Sequence, residues 1–586
     1  MQEPEIFEQP VANKDAEATA GTVDDGNTYH TGYGSYQTNG TAEESSSLDD
    51  YHDFVYPEDR KLGTWSTAFL IINRVVGAGI FSTPAEIIRL TNSVGATLLF
   101  WVLGGIMTFC GLFVYLEYGT ALPRSGGEKV YLERVYQRPR YLATCIFAVQ
   151  FILFAISTAG SISFSSYMML ASHPDSTPDA WTTRGVAICA ISAVCLIHSF
   201  TPRLGIWLSN GLGAFKLILL SLVVCTGFAA LAGRLTVEPP RNFSSFSGGD
   251  PNAKGHINDA GDGAGAAAGY ALALLQVLYA YSGWENANYV LTEVRDAPRT
   301  LKRAAPIAIA VVTVLYVLAN IAYFAAMSKE DMASSGVVVA ARFFEHVMGQ
   351  GPFVKRALPV FIGMSALGNV FAQSFAMPRV KQELAKEGIL PFSRFWASDW
   401  PFNAPTGAIF LHWLVTTALI LGSQVGPAGP GARSASPVAQ ISTVYTFVTN
   451  VFIYTGNWIK LFLACGLIYL NFAPSERWAE QRTTFRSSPL LTIFWIMSLL
   501  FVLGAPFIPN SPDAAIPHYV VPALGTSMLG IGTIYWVIWA KLLPLMGFHI
   551  QHEIVQMPDG SERVKYKRVK PKRKRRPKSA RRPSRW

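Results

Sequence analysis

Val76-Gly77-Ala78-Gly79-Ile80-Phe81 lies inside the first long apolar run of the chain. Glycine is a poor helix residue, and two within three positions invite a membrane helix to unwind. Unwound backbone at bilayer depth survives only where protein buries it or where it lines a cavity. A second break of the same kind follows much later, at Tyr281-Ser282-Gly283-Trp284. Paired breaks in corresponding segments point to a transporter that binds its substrate where the broken helices meet. Taken alone, either glycine cluster would equally serve close helix packing.

The rest of the chain fits this reading. Of 586 residues, half are hydrophobic and only 15% are charged, against about 25% in soluble proteins. Apolar runs of span length recur from Thr64 to Leu543. Twelve spans fit, at 63–90, 95–122, 140–171, 184–201, 205–233, 264–292, 303–327, 353–380, 404–423, 437–472, 489–508 and 517–543. The tenth is too long for a bare span and must tilt or extend into water. The predicted fold is an all-α polytopic membrane protein. A twelve-helix domain at 61–545 lies between an acidic, disordered tail at 1–60 and a basic tail at 546–586. No cleaved signal peptide is expected.

Lys and Arg cluster after spans 2, 6, 8 and 10, for example Arg124, Lys129, Arg295, Arg379, Lys381, Lys386 and Arg477. The connections 172–183 and 509–516 carry none. Even-numbered connections, and with twelve spans both termini, are therefore expected in the cytoplasm. Breaks in spans 1 and 6 imply two five-span repeats, 63–233 and 264–472, with helices 11 and 12 at 489–543. An odd repeat length inverts the second copy. The basic run Lys570–Arg576 beyond the last span suits anionic lipid or a solvated tail rather than nucleic acid. All six cysteines sit in apolar runs and read as small buried hydrophobes, not as disulfides or metal ligands.

The breaks supply a zwitterion site. Backbone N–H groups at Gly77, Ala78, Gly79 and Ile80, at the start of a half-helix, suit a carboxylate. Carbonyls near Tyr279, Ala280 and Ser282, with Gly283 as the flexible point, suit an ammonium group. Tyr279, Tyr281 and Trp284 are placed to cover the pocket. Ser157, Ser161, Ser365, Asn369 and Asn457 are candidates for its side-chain wall. Four ionisable residues at membrane depth are candidates for proton coupling or gating: Arg74, Glu117, Lys216 and Glu285. Burial brings a lysine or a carboxylate toward neutral titration. The competing readings are a fixed Arg74–Glu285 ion pair and a Glu117 that snorkels to the interface. No nucleophile–base pair or metal set suggests an enzyme.

These motifs resemble the amino acid–polyamine–organocation superfamily, in its L-type amino acid transporter branch, and within it the fungal high-affinity methionine permeases. The similarity covers residues 60–545 and rests on segments in order. They are Asn73–Phe81 with Thr83 and Pro84; Glu117–Gly119, Arg124–Glu128 and Tyr131; Lys216; Tyr279–Trp284 with Asn288, Tyr289, Glu293 and Val294; and Gly368, Asn369, Arg379 and Glu387–Pro391. The resemblance implies a LeuT-like 5+5 inverted repeat and alternating access. It also implies that Gly77, Ala78 and Gly79 hold the substrate carboxylate, and that Tyr279 is a gate. Lys216 is similar to the lysine that fills the second sodium site of sodium-independent members, which implies proton coupling and no other cofactor. The implied activity is proton-driven uptake of a neutral amino acid, methionine first, at the plasma membrane. Another amino acid or amine, an exchanger, or a transporter-like nutrient sensor are the alternatives. Ala78 stands where many relatives carry Ser, and Glu285 where many animal relatives carry Asn. The 172–183 connection lacks the cysteine that links animal members to a heavy chain, so no such partner is expected. The acidic tail suits recruitment of ubiquitin ligase adaptors.

Overall fold

The computed structural model describes residues 62–174, 179–234, 240, 242–243, 264–349, 351–398, 404–422, 437–481, 485–508, 517–545, 549–556 and 562–569. The acidic tail, on which adaptor recruitment is expected, and the run Lys570–Arg576 lie outside the described residues.

Helix occupies each predicted stretch, span 1 in three pieces. Ten segments are long and apolar enough to cross a membrane, from Thr64–Ser82 to Val520–Leu545. Predicted spans 6 and 9 correspond to Ala264–Tyr281, which breaks at its end, and to the shorter Thr406–Gly422. Span 10 is one helix of 36 residues, Pro437–Phe472, roughly 54 Å long at 1.5 Å per residue. That exceeds a bilayer core of about 30 Å. Local chemistry sets several starts. The Ser93 hydroxyl accepts from Ala96 N–H, the Asp179 carboxylate accepts from Thr182 N–H, and Pro84, Pro202 and Pro489 open first turns.

Spans 1 and 6 sit at the centre. Span 1 packs on spans 5, 7 and 8, and span 6 packs on spans 2 and 10. Outer faces carry exposed Trp65, Leu99, Trp181, Trp207 and Ile534, as lipid-facing helices do. Two sequence expectations need correction. Cys110, Cys145 and Cys195 are buried, but Cys189, Cys225 and Cys465 are exposed on those outer faces. An apolar run does not tell which side of a helix meets lipid. The basic tail also contains structure: His549–Gln556 pairs antiparallel with Glu562–Val569, Gln556 opposite Glu562. The all-α reading therefore holds for the membrane domain alone.

The end that carries the Lys/Arg-rich connections is closed by a polar network. Leu62 N–H donates to Glu293 O at 2.8 Å, and Arg295 N–H donates to Leu62 O at 2.9 Å. Arg379 Nε donates to the Glu293 carboxylate at 2.7 Å. Lys129 pairs with Glu387 and, at 3.2 Å, with Glu133. Tyr131 OH donates to Asn288 Oδ1 at 2.9 Å. These contacts tie the connection after span 2 to the ends of spans 1, 6 and 8.

Glu128 is the buried centre of this seal. Its Oε1 accepts from Tyr115 OH at 3.1 Å and Tyr289 OH at 3.0 Å, while Oε2 has no partner. Burial first, and the Glu285 charge next, raise its pKa from 4.5 to about 7. An acid whose folded pKa is raised contributes stability that is complete below its unfolded pKa and lost as pH rises through the folded one. The closed end should therefore weaken between pH 4.5 and about 7, by on the order of 3 kcal/mol. Thermal unfolding of the detergent-purified protein across that window measures it. Glu128→Gln should flatten the decline; an unchanged pH profile would remove Glu128 as its source.

Candidate functional site

The first helix, Thr64–Val75, ends one residue before Val76, whose ψ of 90° leaves the helical region. Val76 N–H still bonds Ile72 O at 2.8 Å, and the next backbone bond is Phe81 N–H to Ala78 O at 3.2 Å. Gly77, Ala78, Gly79 and Ile80 lie between these two bonds. Helix resumes at Gly79–Ser82 and runs on into Pro84–Thr91, the joint held by Thr83 N–H and Oγ1 on Gly79 O. The N–H groups of this first turn have no helical partner, by position.

The glycines are required by contact. A Cβ at Gly79 would stand 2.6 Å from Ala280 Cα, and one at Gly77 would strike the Asn369 side chain. The two predicted breaks therefore touch, backbone against backbone. On the other side, Ala264–Tyr281 ends in a turn in which Ser282 N–H bonds Tyr279 O at 3.0 Å. Gly283 has φ +110°, a conformation open to glycine, and a Cβ there would strike Arg74. Span 6 then continues as a 3₁₀ helix, Trp284–Glu293, rather than an α-helix.

Breaking two helices exposes carbonyls, and buried side chains take them up. Tyr316 OH, from span 7, donates to Val75 O at 2.8 Å and to Ala280 O at 3.1 Å. It holds the loose ends of both breaks with one hydroxyl. Sequence reasoning missed it because a tyrosine in an apolar run carries no positional signal. Lys216 Nζ donates to Asn73 O at 2.7 Å, and Asn73 Nδ2 donates to Ser209 O and Oγ. Lys216 is fully buried in span 5 and touches span 8 beside Gly368. Ala280 O accepts from Tyr316 OH and Tyr279 O from Ser282 N–H, and a carbonyl oxygen has two lone pairs.

The remaining expected residues divide. Arg74 Nη1 donates to Asn369 Oδ1 at 3.0 Å, and Glu285 Oε2 accepts from Gly283 N–H at 3.1 Å. Among the described residues they form no ion pair, so the fixed Arg74–Glu285 pair is not found. Glu285 instead caps the turn at its own break. Tyr279 faces Tyr445 of span 10, ring centres 5.9 Å apart and perpendicular. Tyr281 does not cover the breaks: its hydroxyl is spent on Trp101 O at 3.0 Å. Trp284 packs edge-on against Tyr115 at 4.7 Å, with Lys460 5.4 Å over its ring, below the break toward the sealed end.

Glu117 is fully buried and does not snorkel. Its carboxylate accepts from Trp478 Nε1 at 2.9 Å, Asn471 Nδ2 at 3.0 Å and Ser487 N–H at 2.7 Å. It fastens span 2 to the end of span 10 and the connection that follows, a structural role away from the breaks. Of the wall candidates, Ser157 is bonded to His412 and Asn369 to Arg74. Ser161 Oγ, Ser365 Oγ and Asn457 Nδ2 are buried without partners, as groups that meet a polar ligand would be. An apolar cleft of about 610 Å³, lined by Phe164, Val186, Leu367 and Phe371, shares no residue with the breaks.

Half-helix N–H groups beside the carbonyls freed by the second break would suit a substrate with both an anionic and a cationic end. Known proteins similar to this chain are amino acid transporters. The amino acid permease family model matches residues 62–534. The chain is 33% identical to the high-affinity methionine permease of Saccharomyces cerevisiae, over 87% of this chain and 84% of that one. It is 28% identical to the low-affinity methionine permease of the same yeast, over 86% and 87%. It is 31% identical to the human Asc-type amino acid transporter 1, over 57% and 60%. With its central broken helices, its membrane-spanning segments and a match over most of its length, the chain belongs to the amino acid permease family and is a multi-pass transporter, not an enzyme.

Proposed function

We propose that the protein imports a neutral amino acid, methionine first, across the plasma membrane by proton-coupled alternating access. The first ten of the twelve spans form two inverted five-span repeats, helices 11 and 12 follow them, and both termini are cytoplasmic. The substrate carboxylate lies on the N–H groups of Gly77, Ala78 and Gly79. Its ammonium group lies on the spare carbonyl lone pairs of Tyr279 and Ala280. The observation that carries this reading is the contact of Gly79 with Ala280, which brings an N–H cluster and a carbonyl cluster within the reach of one α-amino acid.

Lys216 is the proposed proton carrier. In its protonated state the ammonium group holds Asn73 O, the last turn before the break. Loss of the proton weakens that charge-assisted bond and loosens the first half of span 1 from spans 5 and 8. The proton and the break geometry are thereby linked. Similarity to the two yeast methionine permeases supports methionine as the substrate to try first.

Two linked measurements test this. Purified protein in liposomes should accumulate labelled methionine when the outside is made acidic, and a protonophore should collapse the accumulation. Binding without gradient-driven uptake of any amino acid would point to a sensor instead. Lys216→Ala should reduce accumulation to the level seen without a gradient while counterflow exchange persists. Gradient-driven accumulation at the wild-type level in that variant would exclude Lys216 as the carrier.

A further inference from the structure

Span 3 holds a third break that the sequence did not announce. Leu142–Phe154 and Thr158–Ser172 are separate helices joined by a bend at Ala155–Ser157, where Ala155 N–H still bonds Phe151 O at 3.0 Å but Ile156 N–H turns to Phe154 O at 2.9 Å. No glycine marks the place. Side chains from span 9 hold it instead. His412 Nε2 lies 2.9 Å from Ser157 Oγ, Thr416 Oγ1 accepts from Ser157 N–H at 3.5 Å, and Thr158 Oγ1 donates to Thr416 O at 3.4 Å. The other ring nitrogen, His412 Nδ1, lies 3.4 Å from Lys381 Nζ.

Lys381 counts among the solvent-facing charges after span 8 when read from sequence. In the structure it is fully buried, inside the helix Leu358–Lys386. The other cations around it have carboxylates: Arg379 has Glu293, Lys386 has Glu383, and Lys129 has Glu387. Among the described residues Lys381 has only His412. A buried ammonium with no counter-ion is costly, and an apolar side chain of similar size would stabilise the packing more. A residue kept at that cost suits a role in which its charge changes.

The surroundings leave the pair electrically isolated. Span 4 contributes Cys195 and His198, and His198 Nε2 is bonded to Phe371 O. Span 8 contributes Arg379, engaged by Glu293. Arg394, on the short helix Ser393–Trp396 that follows, is exposed. Both halves of span 3 carry no charged side chain, and span 9 carries only His412. Ser161 stands one helical turn beyond Ser157, on the same face, with its hydroxyl unpaired.

We propose that Lys381, His412 and Ser157 form a second proton-holding site, distinct from Lys216, that sets the geometry of the span 3 break and so of Ser161. One proton is held by the pair. On Lys381, an N–H of the ammonium points at Nδ1 of a neutral imidazole whose Nε2–H donates to Ser157. Transfer breaks an Nζ–H bond and forms an Nδ1–H bond, and the positive charge moves with the proton. Release to water leaves a neutral amine and a neutral imidazole. The charge-assisted link between spans 8 and 9 is then lost, and the turn at Ala155–Ser157 is held less firmly.

Exchange of a pool of labelled amino acids in liposomes, at equal pH on both sides, tests this without any proton driving force, so it stands apart from the role given to Lys216. Wild-type exchange should vary between about pH 5 and 8. Lys381→Met and His412→Asn should flatten the profile. Lys381→Arg, always charged, should hold the acid-side rate at every pH. A flat wild-type profile would overturn the proposal. So would variants that scale the rate but keep the wild-type shape, which would make the cluster a packing feature. If Lys381→Met does not fold, His412→Asn and Lys381→Arg decide the matter by the same criteria.

Discussion

A backbone carbonyl freed by breaking a membrane helix must be paired inside the protein, because lipid offers it nothing. This constraint organises the centre of the molecule. Ending span 1 at Val75 releases Asn73 O and Val75 O, and ending the first half of span 6 releases Ala280 O. Lys216 takes the first, and Tyr316 takes the other two. The partners come from spans 5 and 7, so two helices that are not broken fix the two that are. Among the described residues, no side chain is seen to take the N–H groups on the far side of the span 1 break, and that asymmetry motivates the proposed carboxylate site.

The same logic extends outward. At the sealed end, Glu128, Glu293 and Glu387 each face a hydroxyl, guanidinium or ammonium group from another element. The proposed alternating access requires such contacts to be breakable. A seal made of polar pairs around one neutral-range carboxylate can open at far less cost than a seal of packed apolar side chains. Glu117 is different: three donors from one region of the chain hold it. Its carboxylate acts as a fixed joint between span 2 and spans 10 and 11.

Much of this was legible in the sequence. Gly77, Gly79 and Gly283 marked the breaks because few other residues tolerate such close backbone approach. The motifs after spans 2, 6 and 8, from Tyr131 to Asn288 and from Arg379 to Glu293, carried the family resemblance and prove to touch one another at the sealed end. What stayed hidden has a common cause. Tyr316, the span 3 break and the buried site of Lys381 depend on which face of a helix meets which neighbour. A run of apolar residues does not encode that. Lys381 looked like a loop charge because the helix of span 8 extends beyond its apolar stretch to Lys386. The cysteines failed for the same reason, and the strand pair His549–Gln556 and Glu562–Val569 lay behind a charge pattern that drew attention first.

The central claim is that the touching breaks of spans 1 and 6 are the substrate site. A cryo-electron microscopy structure of the purified protein with saturating methionine examines this most directly. The substrate carboxylate should lie within hydrogen-bond distance of the Gly77, Ala78 and Gly79 N–H groups, and its ammonium group at the Tyr279 and Ala280 carbonyls. An amino acid bound elsewhere, with the Gly79–Ala280 contact intact and unoccupied, would contradict it.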